Sequence, residues 1–254
     1  LVMASPVVVH TAKGDLSGVI GSVPPHIQSG EKKNPKIDEI WIDVGMSGEE
    51  AKAQIELGDK ISFVGPFTEM ENNLVSSKAH DDRCCCVAII KAAEQIKAYW
   101  KEHNLEPISL TVLLSAQEEP GGLGAQTASF ETDPTQAIVV DVTFGTTPEI
   151  ADKHCGDLNK GAMIGMGATL SRRMARKLIK VGKEQNIPYQ VEVMGGGHTG
   201  TNADGIVKVG AGIETCCVSV PLRYMHTPIE TISTVDVDNT AKLIAAYAIS
   251  EFAR

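Results

Sequence analysis

The 254-residue chain has no excess of positive charge, no C-x-x-C pair and no long apolar stretch. Each absence removes a class of function. Lys and Arg number 23 against 32 Asp and Glu, a formal net charge of −9. A nucleic-acid binder would show a basic patch, and none is visible. The one locally basic segment, residues 171–180, carries its apolar residues at helical spacing and reads as the outer face of an amphipathic helix. No run reaches the ~18–20 apolar residues of a membrane span, and the first residues carry no secretory-signal pattern. The six cysteines (Cys84, Cys85, Cys86, Cys155, Cys216 and Cys217) are expected as reduced thiols of a cytoplasmic protein, with a zinc–thiolate site as the alternative.

What is present is enough apolar residue, 43% of the chain, for one large domain or two smaller ones. Residues 1–70 are punctuated by Gly and Pro, with short strand-like runs at 7–10, 18–20, 39–43 and 60–64. Ser47 with Glu50 three residues later forms a capping box that opens a helix over 49–55. This part reads as a small β-rich domain. Residues 71–254 alternate helix and strand. Helices are expected over 83–103, 170–186 and from a Thr234 cap to Phe252. Buried strands are expected over 108–116, 137–142, 190–193 and 213–220. Nearly all-apolar strands alternating with helices predict an α/β fold with a mainly parallel sheet sandwiched by helices.

In such sheets functional residues gather at the carboxyl ends of strands, and that rule sorts the acids. Glu118 and Glu119 follow the run Thr111–Gln117 and precede Pro120-Gly121-Gly122. Asp141 lies near the end of the run 137–141. Asp81 and Asp82 precede the long helix, and His226 follows the strand 213–220. Adjacent carboxylates repel and lose hydration when buried, so a cation is expected beside them. Asp, Glu and His together suit a zinc- or cobalt-type divalent ion. Each residue also has a plain structural reading. Glu118-Glu119 could be a solvated strand-to-loop junction, Asp81-Asp82 a helix N-terminus whose acids complement the dipole, Asp141 a strand-end acid and His226 a hydrogen-bonded surface histidine.

The combination resembles a known family. Four segments in order, Lys78-Ala79-His80-Asp81-Asp82-Arg83, Gln117-Glu118-Glu119, Val139-Val140-Asp141-Val142 and Arg223 to Glu230, are similar to the tetrahedral aminopeptidases. These are di-metal glutamyl, leucyl and deblocking aminopeptidases, some once labelled endoglucanases. The segment 195–204 resembles the family's Gly-rich active-site loop. Gly18-Val19-Ile20-Gly21 with Pro24-Pro25-His26 resembles its inserted β-domain. The resemblance implies that residues 1–70 are a dimerisation domain and 71–254 the metallopeptidase domain. It implies Asp81 as the carboxylate bridging two metals, through a cis peptide to Asp82. Glu119 and His226 complete one metal site, and Asp141 serves the other. Glu118 is the general base, with Asp82 beside it in the catalytic set. His198 and Arg223 face a peptide substrate. It further implies two zinc or cobalt ions per full-length subunit, and dimers that assemble into a dodecamer.

The chain departs from the family pattern in two places. The family's His-x-Asp strand, which supplies a ligand to the second metal, is absent. The chain is therefore expected to be N-terminally incomplete in both domains, and to hold one metal site with its full set of protein ligands. The residues after the Glu pair are Pro120-Gly121-Gly122-Leu123-Gly124, where relatives commonly carry Val-Gly and an Arg. Two other readings stand beside the aminopeptidase. A glycoside hydrolase would use Glu118 and a second acid without metal. A catalytically impaired subunit would keep the fold and lack a ligand.

Overall fold

The structure, a computed structural model, describes residues 3–23, 26, 35–106, 108–148, 150 and 155–253. It divides into two compact units, Leu1–Pro66 and Phe67–Arg254.

The first unit is an antiparallel sheet of β1 (Pro6–Thr11), β2 (Gly14–Ile20), β3 (Ile42–Asp43) and β4 (Lys60–Phe63), in the order β3-β2-β1-β4. Alternation along β1 buries Val7 and Val9 and leaves His10 exposed. The Trp41 ring lies across Gly21, where a β-carbon would stand 2.0 Å from it and would have to push the ring aside. Helix α1 (Gly48–Gln54) opens on the expected capping box. Ser47 Oγ accepts from the Glu50 amide at 3.3 Å, and Glu50 Oε2 accepts from the Ser47 amide at 2.9 Å. Pro24 and Pro25 of the second motif lie outside the described residues.

The second unit runs β5 (Thr68–Glu69), β6 (Leu74–Ser77), α2 (His80–Glu102), α3 (Leu123–Thr132), β7 (Gln136–Phe144), β8 (Ala162–Met166), α4 (Arg172–Glu184), β9 (Tyr189–Val193), α5 (Ala203–Ile206), β10 (Glu214–Arg223), β11 (Glu230–Ser233) and α6 (Thr234–Phe252). Its strands form one sheet in the order β5-β6-β11-β10-β8-β9, with β7 also paired to β10. Burial follows the sequence. Cys216, Val218, Val220 and Leu222 of β10 meet side chains of α2, α4 and α6. Cys217 of β10 and Val139 of β7 join Ala125 of α3 and Ala203 and Ile206 of α5 in a separate cluster. Helix α6 is capped by Ser233 rather than Thr234: Ser233 Oγ accepts from the Val235 amide at 3.2 Å.

Two expectations are corrected. The sheet is mixed. Among the described residues β7–β10 and β8–β9 are parallel, whereas β5–β6, β6–β11, β10–β11 and β8–β10 are antiparallel. An all-apolar strand reports that both its faces are covered, and burial carries no direction. The loop joining β10 to β11 is also too short for a parallel crossover.

The second correction concerns residues 108–116, which are not a buried strand. The segment is irregular, no described strand pairs with it, and Leu110, Val112 and Leu114 are exposed at 45%, 41% and 53%. Only Ile108 and Leu113 reach the core clusters. Composition shows that a segment could pair, and pairing needs a neighbour that composition does not show. Among the described residues no helix is long and apolar enough to cross a membrane.

Candidate metal centre

Three loops build the site, and each bends sharply beside its functional residue. Ahead of α2, Ala79 is left-handed at φ 58°, the Asp81–Asp82 peptide is cis, and both aspartates depart from helical geometry. The helix proper starts after them, so they are not the ordinary first turn that the plain reading offered. The Glu118 loop begins at Gln117, left-handed at φ 59°. It closes tightly, with the Gly121 amide donating to Glu118 O and the Gly122 amide to Gln117 O, both at 2.9 Å. Gly124 lets the first turn of α3 seat on Ala116, where a β-carbon would stand 2.4 Å from the Ala116 carbonyl oxygen. In the β10–β11 loop, Tyr224 and His226 are left-handed at φ 62° and 60°. Non-glycine residues seldom adopt this conformation, and where they do it often marks a functional site.

These bends bring Asp81, Glu119 and His226 together. His226 Nε2 lies 3.2 Å from Asp81 Oδ2 and 3.8 Å from Glu119 Oε2. One ligand atom from each residue falls within 4.8 Å of the others. One imidazole nitrogen and two carboxylate oxygens are the donor set of a borderline divalent ion. The Asp81 side chain is nearly closed off at 12% exposure, while those of Glu119 and His226 are 66% and 64% exposed. The trio is thus anchored on one side and open on the other.

Crowded acids surround it. Burial first, then the Glu119 and Glu230 charges, push the Asp81 carboxyl up to about 6, against the pull of His226. Burial, Glu119, Asp81 and Asp82 raise Glu118. Burial also raises Asp82, opposed mainly by the Cys86 thiol, which donates to Asp82 Oδ1 at 3.8 Å. Asp141 is pushed up to about 8, chiefly by burial and further by Asp82, Glu118 and Asp81, although it accepts the Val142 amide at 2.8 Å. Burial leads each of these shifts and like charge adds to it, so a bound cation would relieve the part that comes from mutual repulsion.

The remaining candidates sit as follows. Asp141 lies inside β7, three residues short of its end, and outside the trio, although its charge is coupled to the acids there. The sequence placed it at a strand end because the apolar run pauses at the acid while the strand continues. His198 is exposed in the Gly-rich loop, with its imidazole against Gly196. That loop is braced by the Asp204 carboxylate, which accepts the Thr199 and Gly200 amides. Asn202 Nδ2 ties it to Ser115 Oγ at 3.0 Å, beside the Glu118 turn. Arg223 Nε donates to Thr146 O at 2.7 Å, so this guanidinium also serves the fold. The His80 ring lies edge-on to Phe67.

Sequence reasoning gave no role to Glu230. It is 3% exposed and accepts the Asp81 amide at 3.0 Å and the His226 amide at 2.9 Å. The available signal was an acid that opens a buried strand four residues after His226.

The profile of a family described as M42 glutamyl aminopeptidase matches residues 1–243. The chain belongs to this family. Its M42 relatives include the lysyl aminopeptidase of Pyrococcus furiosus, 36% identical over 243 residues, which cover 93% of this chain and 67% of the relative. A solved aminopeptidase from the archaeon Desulfurococcus kamchatkensis superposes with a TM-score of 0.84 at 32% identity, covering 99% of this chain and 70% of that one. The TET1 peptidase of Pyrococcus horikoshii, described as assembling into a tetrahedron or a large octahedral shell, superposes with a TM-score of 0.76 at 31% identity, covering 97% and 72%. Membership makes this M42 chain a peptidase, and the glycoside-hydrolase alternative gives way to it.

Proposed function

We propose that this M42 protein is a metal-dependent aminopeptidase that removes the N-terminal residue of peptides. The convergence of Asp81, Glu119 and His226 carries the reading. The residues fit a divalent ion: the donors are of the right kind, they lie within 4.8 Å of one another, and the nearby carboxyls mainly repel each other. Asp81, Glu119 and His226 would hold one zinc or cobalt ion, and Asp81 with Asp141 would face a second. Bound there, such ions make a water easier to deprotonate and a scissile carbonyl more electrophilic.

The chain's own residues supply the rest. Glu118 is adjacent to a ligand without being one of the trio, and its raised pKa suits a group that takes a proton from water and returns it to the leaving amine. Burial first, then the charges of Glu119, Asp81 and Asp82, keep Glu118 above its usual range, and Asp82 completes the catalytic set beside it. His198 and Arg223 bound the substrate side, His198 from the Gly-rich loop and Arg223 from the end of β10. By likeness to its relatives the protein is a homo-oligomer, with dimers joining through the first unit into a dodecamer. Its thiols suit a reducing compartment, and we assign it to the cytoplasm.

Aminoacyl-p-nitroanilide hydrolysis before and after chelation tests the reading. Turnover is expected to vanish in EDTA and to return with zinc or cobalt; full turnover in excess EDTA refutes metal dependence. Glu118→Gln is expected to retain metal while turnover falls ~10²–10⁴-fold, the usual contribution of a positioned acid–base. Wild-type turnover in that variant would remove Glu118 from its role.

A further inference from the structure

We propose that Glu230 is the positioning residue of this centre: one buried carboxylate clasps the two ligand loops and sets the Asp81-to-His226 spacing. The inference rests on the reading of Asp81, Glu119 and His226 as a metal trio.

The geometry leads there from the sheet upward. β6 and β11 are antiparallel, with Glu230 opposite Ser77, the last residue of β6. The chain leaving β6 toward Asp81 and the chain arriving from His226 therefore meet at Glu230. Its two oxygens are divided between them. Oε2 accepts the Asp81 amide at 3.0 Å and Oε1 accepts the His226 amide at 2.9 Å. At 3% exposure it is shielded from water, which strengthens hydrogen bonds to a charged acceptor.

The two residues so held are ligand candidates from segments far apart in sequence, and both have unusual backbones: Asp81 precedes a cis peptide and His226 is left-handed at φ 60°. Neither is in a helix or strand conformation that would fix its side chain unaided. A carboxylate suits the task because both its oxygens accept. A glutamine would turn an NH₂ toward one of the two amides, leaving that donor buried and unpaired. An aspartate keeps the charge but is one methylene shorter.

A matched control exists in the same fold. Asp236 is also fully buried and accepts two backbone amides, those of Asn159 at 2.6 Å and Gly161 at 2.7 Å, and neither belongs to the trio. Asp236→Asn therefore reports what losing a buried double acceptor does to the fold alone.

The test is zinc titration of the metal-free protein by calorimetry, repeated with cobalt by its visible absorption. Glu230→Gln and Glu230→Asp are each expected to weaken zinc binding 10–100-fold, as losses of groups that orient ligands commonly do, and to alter the cobalt spectrum. Asp236→Asn is expected to bind zinc within about twofold of wild type, on the same scale of effects. Zinc affinity at wild-type level in either Glu230 variant overturns the proposal. So does an equal loss in Asp236→Asn, because general loosening would then explain the effect. The unmodified protein gives a further reading, with slow hydrogen exchange expected at both the Asp81 and His226 amides without metal; rapid exchange at either overturns the clasp even if the variants do not fold. Asp81→Asn separates the layers. If it binds zinc as tightly as wild type, the metal trio is wrong and the clasp falls with it. If it abolishes binding while the Glu230 variants bind normally, the clasp alone is wrong.

Discussion

Asp141→Asn should stabilise the metal-free protein, and the gain should depend on pH in a defined way. The folded protein holds a proton on Asp141 up to about pH 8, whereas the unfolded chain releases it near the ordinary 3.8. Between those values the folded state binds more protons than the unfolded state, so stability falls as pH rises. The stabilising contribution of the protonated acid is complete below 3.8 and is lost by about 8. The slope is about 1.4 kcal/mol per pH unit, so the full loss is of order 5 kcal/mol by pH 8. Asparagine carries no proton to lose, and its side-chain oxygen can still accept the Val142 amide. The variant should match wild type near pH 4 and exceed it by several kcal/mol at pH 8. Urea unfolding of EDTA-treated protein measures this. Trp100 is buried in the second unit, and a Trp41→Phe background removes the only other tryptophan, so fluorescence follows that unit alone. A difference that stays constant from pH 5 to pH 8 would refute the burial argument for Asp141.

Two further expectations concern the fold. Ser47→Ala removes the acceptor for the Glu50 amide and should cost the first unit about 1 kcal/mol, read from its denaturation midpoint; an unchanged midpoint would make the cap incidental. Glu251 is held down to about 2 by Lys177, Arg173 and Gln136, so its contribution is present above the ordinary 4.5 and lost as pH falls toward 2. Glu251→Gln should therefore destabilise the second unit at pH 7, by about 1 kcal/mol once solvent screening of this surface cluster is counted, and have little effect near pH 2, a pattern that acid titration of the two proteins would reveal or exclude.

The readable parts of this chain were those whose physics is local. Ser47 and Glu50 announce a capping box within four residues, and the Gly/Pro punctuation locates β1, β2 and β4. The acid pairs stood out because adjacent carboxylates are costly wherever the chain goes. What stayed hidden depends on partners distant in sequence. Strand direction in the β10 neighbourhood could not be read from Cys216 to Val220, since burial looks alike in either direction. Helix α3 was missed because only Ala125 and Ser129 of its ten residues are buried, too few for an apolar stripe. Glu230 escaped because its function lies in two hydrogen bonds to backbone, and no sequence pattern records which amides an acid will meet.

The uncharged run from Ile108 to Ala116 also matters to the life of the protein before it folds. It holds nine residues without a charge, rich in Leu, Val, Ile and Thr, and nothing covers them while the chain is still unfolded. Such a segment can template association with its like in other copies, so crowding during synthesis is when this chain is most exposed to misassembly. Charged residues beside such runs slow that growth. Glu118 and Glu119 stand two and three residues past its end, and Glu106 two before its start. The proposed base Glu118 and the proposed ligand Glu119 thus also suit the place of gatekeepers, and replacing both at once is expected to remove a barrier to aggregation along with the chemistry.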